Sequence, residues 1–113
     1  MEQHMGSWTT RIERGMTIVD VAGQIDLGSS QALRKTLLES LKGAKSMAIN
    51  LSAVKYIDSS GIASLLEVLK EARNSEKRLV LFGLTGAVLQ VLQLTRLTGV
   101  FEIHETEDQA LGA

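Results

Sequence analysis

An α/β fold with a mixed, mostly parallel sheet is predicted for this chain from three observations. Short apolar runs with β-branched residues alternate along the sequence with segments whose apolar positions recur at helical spacing. The first two strand-like segments follow one another across a three-residue connection, which makes them an entry hairpin rather than part of a strand-helix-strand unit. The 113 residues contain no proline, no low-complexity tract and no internal repeat, and 44% of them are hydrophobic, enough for one domain with one core. Alternating strands and helices favour parallel pairing with helices packed against the sheet.

Trp8 to Glu13 and Thr17 to Ala22 are the two opening strands, joined by Arg14-Gly15-Met16. Ile18, Val19 and Val21 make the second the more deeply buried. After Gly23-Gln24-Ile25-Asp26-Leu27-Gly28, Ser29 or Ser30 is placed to cap a helix carrying Leu33, Leu37, Leu38 and Leu41, and Gly43 to end it. The run Ser46-Met47-Ala48-Ile49-Asn50-Leu51 reads as a third strand, followed by a short connection to Tyr56-Ile57. From Ile62 the apolar residues Ile62, Leu65, Leu66, Leu69 and Ala72 share one helical face, while Glu67, Lys70, Glu71 and Arg73 fall elsewhere. Leu79 to Gly83 is a further buried strand. Thr85 is placed to cap a third helix with Val88, Leu89, Leu92 and Leu97, ended by Gly99. Val100 to Ile103 closes the strand set, and Glu105 to Leu111 is expected to form a terminal helical turn.

The chemistry-bearing feature is Asp58-Ser59-Ser60-Gly61, where the strand pattern stops and the second helix begins. A hydroxyl there serves as a helix cap, a phosphorylation target, or both. Capping alone explains Ser and Asp at a helix start, and Asp58 is either a cap or a group that orients Ser59. Gly61 is cheap in a first turn, and its missing side chain would let a partner approach closely.

Other chemistries are not indicated. Twelve basic and thirteen acidic residues give a net charge of -1, without the basic run or aromatic platform that nucleic-acid binding requires. With no cysteine there is no disulfide, thiol nucleophile or thiolate-held metal. A serine hydrolase needs a base beside its nucleophile, but the only histidines, His4 and His104, lie near the termini, and Ser59 is not in a Gly-x-Ser-x-Gly elbow. Gly83-Leu84-Thr85-Gly86 lacks the lysine and spacing of a P-loop, and neither Rossmann glycines nor clustered metal ligands occur. The leucines between Val88 and Leu97 are too few for a zipper. No signal-peptide pattern opens the chain and no apolar run spans a bilayer, so a cytoplasmic protein is expected.

Gly23-Gln24-Ile25-Asp26-Leu27, Asn50-Leu51-Ser52, Tyr56-Ile57-Asp58-Ser59-Ser60-Gly61-Ile62 and Leu94-Thr95-Arg96-Leu97-Thr98-Gly99-Val100-Phe101-Glu102-Ile103 resemble the successive motifs of STAS domains, in particular bacterial anti-sigma factor antagonists. The resemblance covers residues 8–111, leaving 1–7 as an N-terminal extension. It implies a partner-switching module without catalytic activity, cofactor or metal. In such antagonists the first serine after the aspartate is phosphorylated by the anti-sigma factor, itself a serine kinase, and a PP2C-type phosphatase reverses the step; the matching residue is Ser59. The implied partner-binding edge holds Asp26, Asp58, Ser59, Ser60 and Gly61. Two positions depart from the pattern: Gln24, commonly acidic in the antagonists, and Ala63, where many have a second glycine. Alanine there also resembles STAS subunits of ABC phospholipid transporters, which bind the transporter's cytoplasmic side, and this is the alternative partner class.

Overall fold

A computed structural model describes residues 6–112, so His4 and most of the expected N-terminal extension lie outside the described residues. The chain enters the sheet through β1 (Ser7–Glu13) and β2 (Met16–Ile25). Arg14 and Gly15 both take positive φ, 50° and 79°, and Glu13 pairs directly with Met16. The turn is therefore a two-residue one whose twist matches the strands, with Met16 already inside β2 rather than in the connection.

The remaining elements are α1 (Leu27–Lys42), β3 (Ser46–Ile57), α2 (Ser59–Asn74), β4 (Arg78–Phe82), α3 (Gly86–Leu94), β5 (Glu102–His104) and α4 (Glu107–Gly112). The sheet order is β1-β2-β3-β4-β5, with β1 antiparallel to β2 and every later pair parallel. Because each crossover moves one strand over in the same direction with the same hand, α1, α2 and α3 are delivered to one face. Leu33, Leu37 and Leu41 of α1, Ile62, Leu65, Val68 and Leu69 of α2, and Val88 and Leu92 of α3 accordingly share one core with Val19, Ile49 and Leu81 of the strands. The opposite face buries Met16, Ile18, Ala48, Val80 and Phe82 beneath Ala110 and Leu111 of α4. On that face Arg11 joins β1 to β2 and α4, its Nε donating to Asp20 at 2.7 Å and its Nη2 to Glu107 at 2.6 Å.

Several boundaries differ from the sequence expectation for identifiable reasons. The third strand does not stop at Leu51: β3 runs unbroken to Ile57, and bulges against β2 between Asp20 and Ala22 and between Gly23 and Gln24 absorb the irregular pattern. Neither Ser29 nor Ser30 caps α1. Asp26 does, accepting from the Gly28 N–H at 3.0 Å, while Ser29 is buried as the reciprocal member of the capping box. On α2, Val68 is fully buried and Leu66 only half so. Thr85 caps α3 as expected, but the helix ends at Leu94, well before Gly99. Arg96 takes φ 60°, and the Leu97 N–H returns to the Leu92 carbonyl at 2.8 Å. Glu76, at φ 57°, ends α2 in the same way, with Lys77 N–H bonded to the Ala72 carbonyl at 2.8 Å. Both are left-handed C-terminal closures with a charged residue where glycine is usual. Val100 then turns, Phe101 enters the core, and β5 starts only at Glu102.

Arg78 of β4 forks onto Glu102 of β5, with its Nε donating at 2.9 Å. Its hydrogen bonds outweigh burial and hold the Glu102 carboxyl at about 2, down from an ordinary 4.5. A carboxylate lowered in the fold stabilises it above the unfolded pKa and loses that contribution as pH falls from about 4.5 to about 2. Replacing Arg78 with Met should therefore raise the Glu102 pKa towards 4.5 in a carboxyl-carbon NMR titration and flatten the acid loss of stability over that window.

Candidate functional site

Strands β2 and β3 end side by side, with Ile25 paired to Ile57. Each is followed by an aspartate in extended conformation that caps the next helix, Asp26 for α1 and Asp58 for α2. Two parallel helix N-termini are thereby brought together at one end of the sheet. The backbone N–H of Asp58 donates to the Ile25 carbonyl at 3.1 Å, extending the ladder one step beyond the strands.

The Asp58 carboxylate is the cap of α2. Its Oδ1 accepts from the N–H of Ser60 at 2.9 Å, the N–H of Gly61 at 3.1 Å and the Ser60 hydroxyl at 2.5 Å. The backbone N–H of Leu27, the first residue of α1, faces the same carboxylate and makes the smallest of the contributions that favour its charge. Burial pushes the Asp58 pKa up, but the hydroxyl and three backbone donors together exceed it and the net shift is downward.

The two serines have different environments. Ser60 is half-buried with its hydroxyl committed to Asp58. Ser59, the first helical residue, is exposed, and its hydroxyl belongs to none of the hydrogen bonds that hold the turn. Neither serine is the cap. Gly61 is buried, and the room left by its missing side chain lies inward: a Cβ there would sit 2.6 Å from Ile57 Cγ1 and 3.0 Å from the Ile25 carbonyl oxygen. Its absence lets α2 start tight against the strands. Asp26 is half-buried in its capping box, and Gln24 supplies its carbonyl to the Ser29 hydroxyl at 3.0 Å. Ala63 is exposed on α2.

The sequence-singled residues Asp26, Asp58, Ser59, Ser60 and Gly61 thus fall within one junction. A feature not anticipated from sequence is Leu27, whose side chain is 76% exposed although its backbone opens α1 directly after the Asp26 cap. Its position directly after a capping aspartate is the available signal, masked by the expectation that Ser29 or Ser30 caps the helix. His104 bonds Glu102 at 2.8 Å on β5, two strands from β3. Among the described residues no cluster of metal-ligating side chains occurs and no helix is long and apolar enough to cross a membrane. A cavity of about 340 Å³ lined by Leu38, Leu41 and Lys77 lies between the C-terminal parts of α1 and α2, away from Ser59.

A five-stranded sheet entered by a hairpin, covered by three helices on one face and carrying capped helix starts after β2 and β3, is the STAS architecture, and the STAS domain family model matches residues 7–110. The chain belongs to the STAS domain family. Within it the similarity runs to the anti-sigma factor antagonists: the anti-sigma-B factor antagonist of Listeria monocytogenes is 30% identical over 93 residues, covering 81% of this chain and 82% of the relative. That of Staphylococcus aureus is 25% identical, covering 77% and 82%. The crystal structure of an anti-sigma factor antagonist from Mycobacterium paratuberculosis superposes with a TM-score of 0.85 at 23% identity, over 98% of this chain and 95% of that one.

Removing the Asp58 carboxylate should loosen the start of α2. Asp58→Ala is expected to cost about 1–2 kcal/mol in urea denaturation, the range for a lost N-cap, whereas Ser59→Ala should stay within about 0.5 kcal/mol of wild type. Gly61→Ala should also destabilise, by about 1–3 kcal/mol, because the added methyl meets strand backbone as well as side chains.

Proposed function

We propose that this chain is an anti-sigma factor antagonist that captures a serine-kinase anti-sigma factor when unphosphorylated, freeing a sigma factor, and lets it go when Ser59 carries phosphate. A PP2C-type phosphatase restores the capturing form. The chain acts by binding, in the cytoplasm, and touches no nucleic acid itself. The observation that carries the reading is the contrast between the two serines: Ser59 presents an uncommitted hydroxyl to solvent, while Ser60 is locked onto Asp58. A kinase can reach the first without dismantling the turn.

Sequence relatives named as anti-sigma-B factor antagonists support the same reading. A solved structure of the Bacillus cell fate determinant SpoIIAA in its phosphorylated form has this fold, with a TM-score of 0.71 at 19% identity over 94% of this chain and 97% of that one. Asp58 gives the switch its physics. It already occupies the N–H groups of Ser60 and Gly61, so a phosphate on Ser59 finds few backbone donors free and projects outward, adding roughly -1.5 to -2 charge beside a carboxylate. The helix dipole offsets part of that repulsion in the free chain. At a docked surface, desolvation and like charge act together against the complex.

Incubation with the serine-kinase anti-sigma factor of the same genome and ATP should place phosphate on Ser59, read by mass spectrometry. Ser59→Ala should accept none and still be captured; Ser59→Asp should bind at least about tenfold more weakly while unfolding within about 0.5 kcal/mol of wild type. Phosphate on another residue, or recovery of ABC transporter subunits with Ser59 unmodified, would overturn the reading in favour of the accessory-subunit class.

A further inference from the structure

We infer that Leu27 is a preorganised apolar anchor for the anti-sigma factor, separate from the phosphorylated group and setting affinity rather than chemistry. This inference rests on the function proposed above. Among the described residues only Ile12, Leu27, Tyr56 and Leu94 are large hydrophobics left exposed, and Leu27 and Leu94 are the most open, at 76% each. Single exposed leucines are ordinary on a protein surface. Leu27 differs in where it stands and in how its backbone is held.

As the first residue of α1, Leu27 occupies a position where polar or acidic residues complement the helix dipole, and no acidic residue occupies that turn. Its side chain contributes little to the core, yet its backbone is fixed in the first turn of a helix capped by Asp26. Ile25 pairs with Ile57 and the Asp58 N–H donates to the Ile25 carbonyl at 3.1 Å, so Leu27 and Ser59, each two residues beyond that pair, begin neighbouring helices at the same end of the sheet. Their backbones are roughly 10 Å apart, the spacing of packed neighbouring helices.

A partner that engages Ser59 must cover Leu27 as well. A standard interface takes about 800 Å² from each side, a disc of about 16 Å radius, so a footprint centred on Ser59 includes the start of α1. Binding energy concentrates in apolar anchors near the middle of such a patch, and an anchor whose backbone is already ordered gives up little entropy on docking. The complementary chemistry on the kinase is an apolar socket beside its phosphoryl-transfer site. Phosphate on Ser59 acts on the neighbouring position and leaves the leucine unchanged, so the two contributions are separable by mutation.

The test compares Leu27→Ser, Leu27→Met and Leu94→Ser with wild type against the purified serine-kinase anti-sigma factor of the same genome. Circular dichroism and urea denaturation verify that each variant is folded, as expected for a side chain this exposed. Leu94, at the C-terminal end of α3, is the control for losing an exposed leucine elsewhere. Leu27→Ser should raise Kd, and the KM for Ser59 phosphorylation, by roughly 10- to 100-fold with kcat unchanged; Leu27→Met should recover most of the affinity, and Leu94→Ser should behave as wild type. If wild type is captured and phosphorylated and Leu27→Ser has the same Kd and KM, the anchor is overturned while the partner switch stands. If wild type is neither captured nor phosphorylated, the partner switch itself falls and the anchor with it. A fall in kcat without a change in KM would also overturn it, since that would place Leu27 in the transfer step.

Discussion

The Asp58 carboxylate is the constraint on which the rest of this molecule's working end depends. Two parallel helices that start side by side each present about half a positive charge at the N-terminus, and placing them together is unfavourable unless something negative sits between them. Asp58 supplies that charge, accepting from the Ser60 and Gly61 N–H groups of α2 while the Leu27 N–H at the start of α1 faces it. Asp26 caps α1 on its own account. The side chain that caps one helix thus also faces the start of the other. That placement in turn requires β2 and β3 to finish level, which the bulges in their pairing achieve by bringing Ile25 opposite Ile57.

Away from this junction, the two faces of the sheet divide the labour of stability. The helical face carries the large core, and cross-links reinforce it: Ser64 donates to the Ser30 carbonyl at 3.3 Å and Lys77 closes the C-terminus of α1 through the Leu41 carbonyl at 2.6 Å. The other face is a smaller apolar strip under α4, tied at its margin by Arg11 to Asp20 and Glu107. Neither set of contacts involves the Ser59 side chain. The exposed hydroxyl therefore stands on a platform whose stability is determined elsewhere, which is the condition for altering a surface without altering a fold.

Much of this was legible in the sequence because the residues responsible act locally. Alternating apolar periods gave the element order, and Asp58-Ser59-Ser60-Gly61 announced a helix start through capping chemistry alone. What escaped were features set by pairing across the sheet. β3 continues through Ser52 and Ala53 because β2 offers it a bulged partner, and no local pattern encodes that partner. Arg96 and Glu76 in left-handed conformation carry no glycine to mark them, so the end of α3 was sought at Gly99. Ser29 and Ser30 looked like caps because hydroxyls cap helices, yet the stronger acceptor three residues earlier prevailed and drew Ser29 inward. Gly61 read as an opening for a partner, whereas tertiary contact shows the space directed at Ile25 and Ile57.

The position of Ser59 also accounts for why, on the proposed reading, a phosphate there would be felt by a partner more than by the chain that carries it. In the free molecule the added charge faces Asp58 through water, where two unit charges at 4 Å repel by about 1 kcal/mol, comparable to the 0.3–1 kcal/mol that a helix N-terminus returns to an anion. The two nearly cancel. Docking excludes water, and the same repulsion at an effective dielectric near 20 rises to about 4 kcal/mol, while the dipole's contribution stays confined to one turn. Since each 1.4 kcal/mol is a factor of ten in affinity, the rise of about 3 kcal/mol amounts to about a hundredfold in binding at almost no cost in folding. On that reading Asp58 would be the reason the turn survives modification and the reason the modified turn is refused, because the carboxylate that accepts from the first N–H groups of the helix is also the like charge that a docked phosphate would meet.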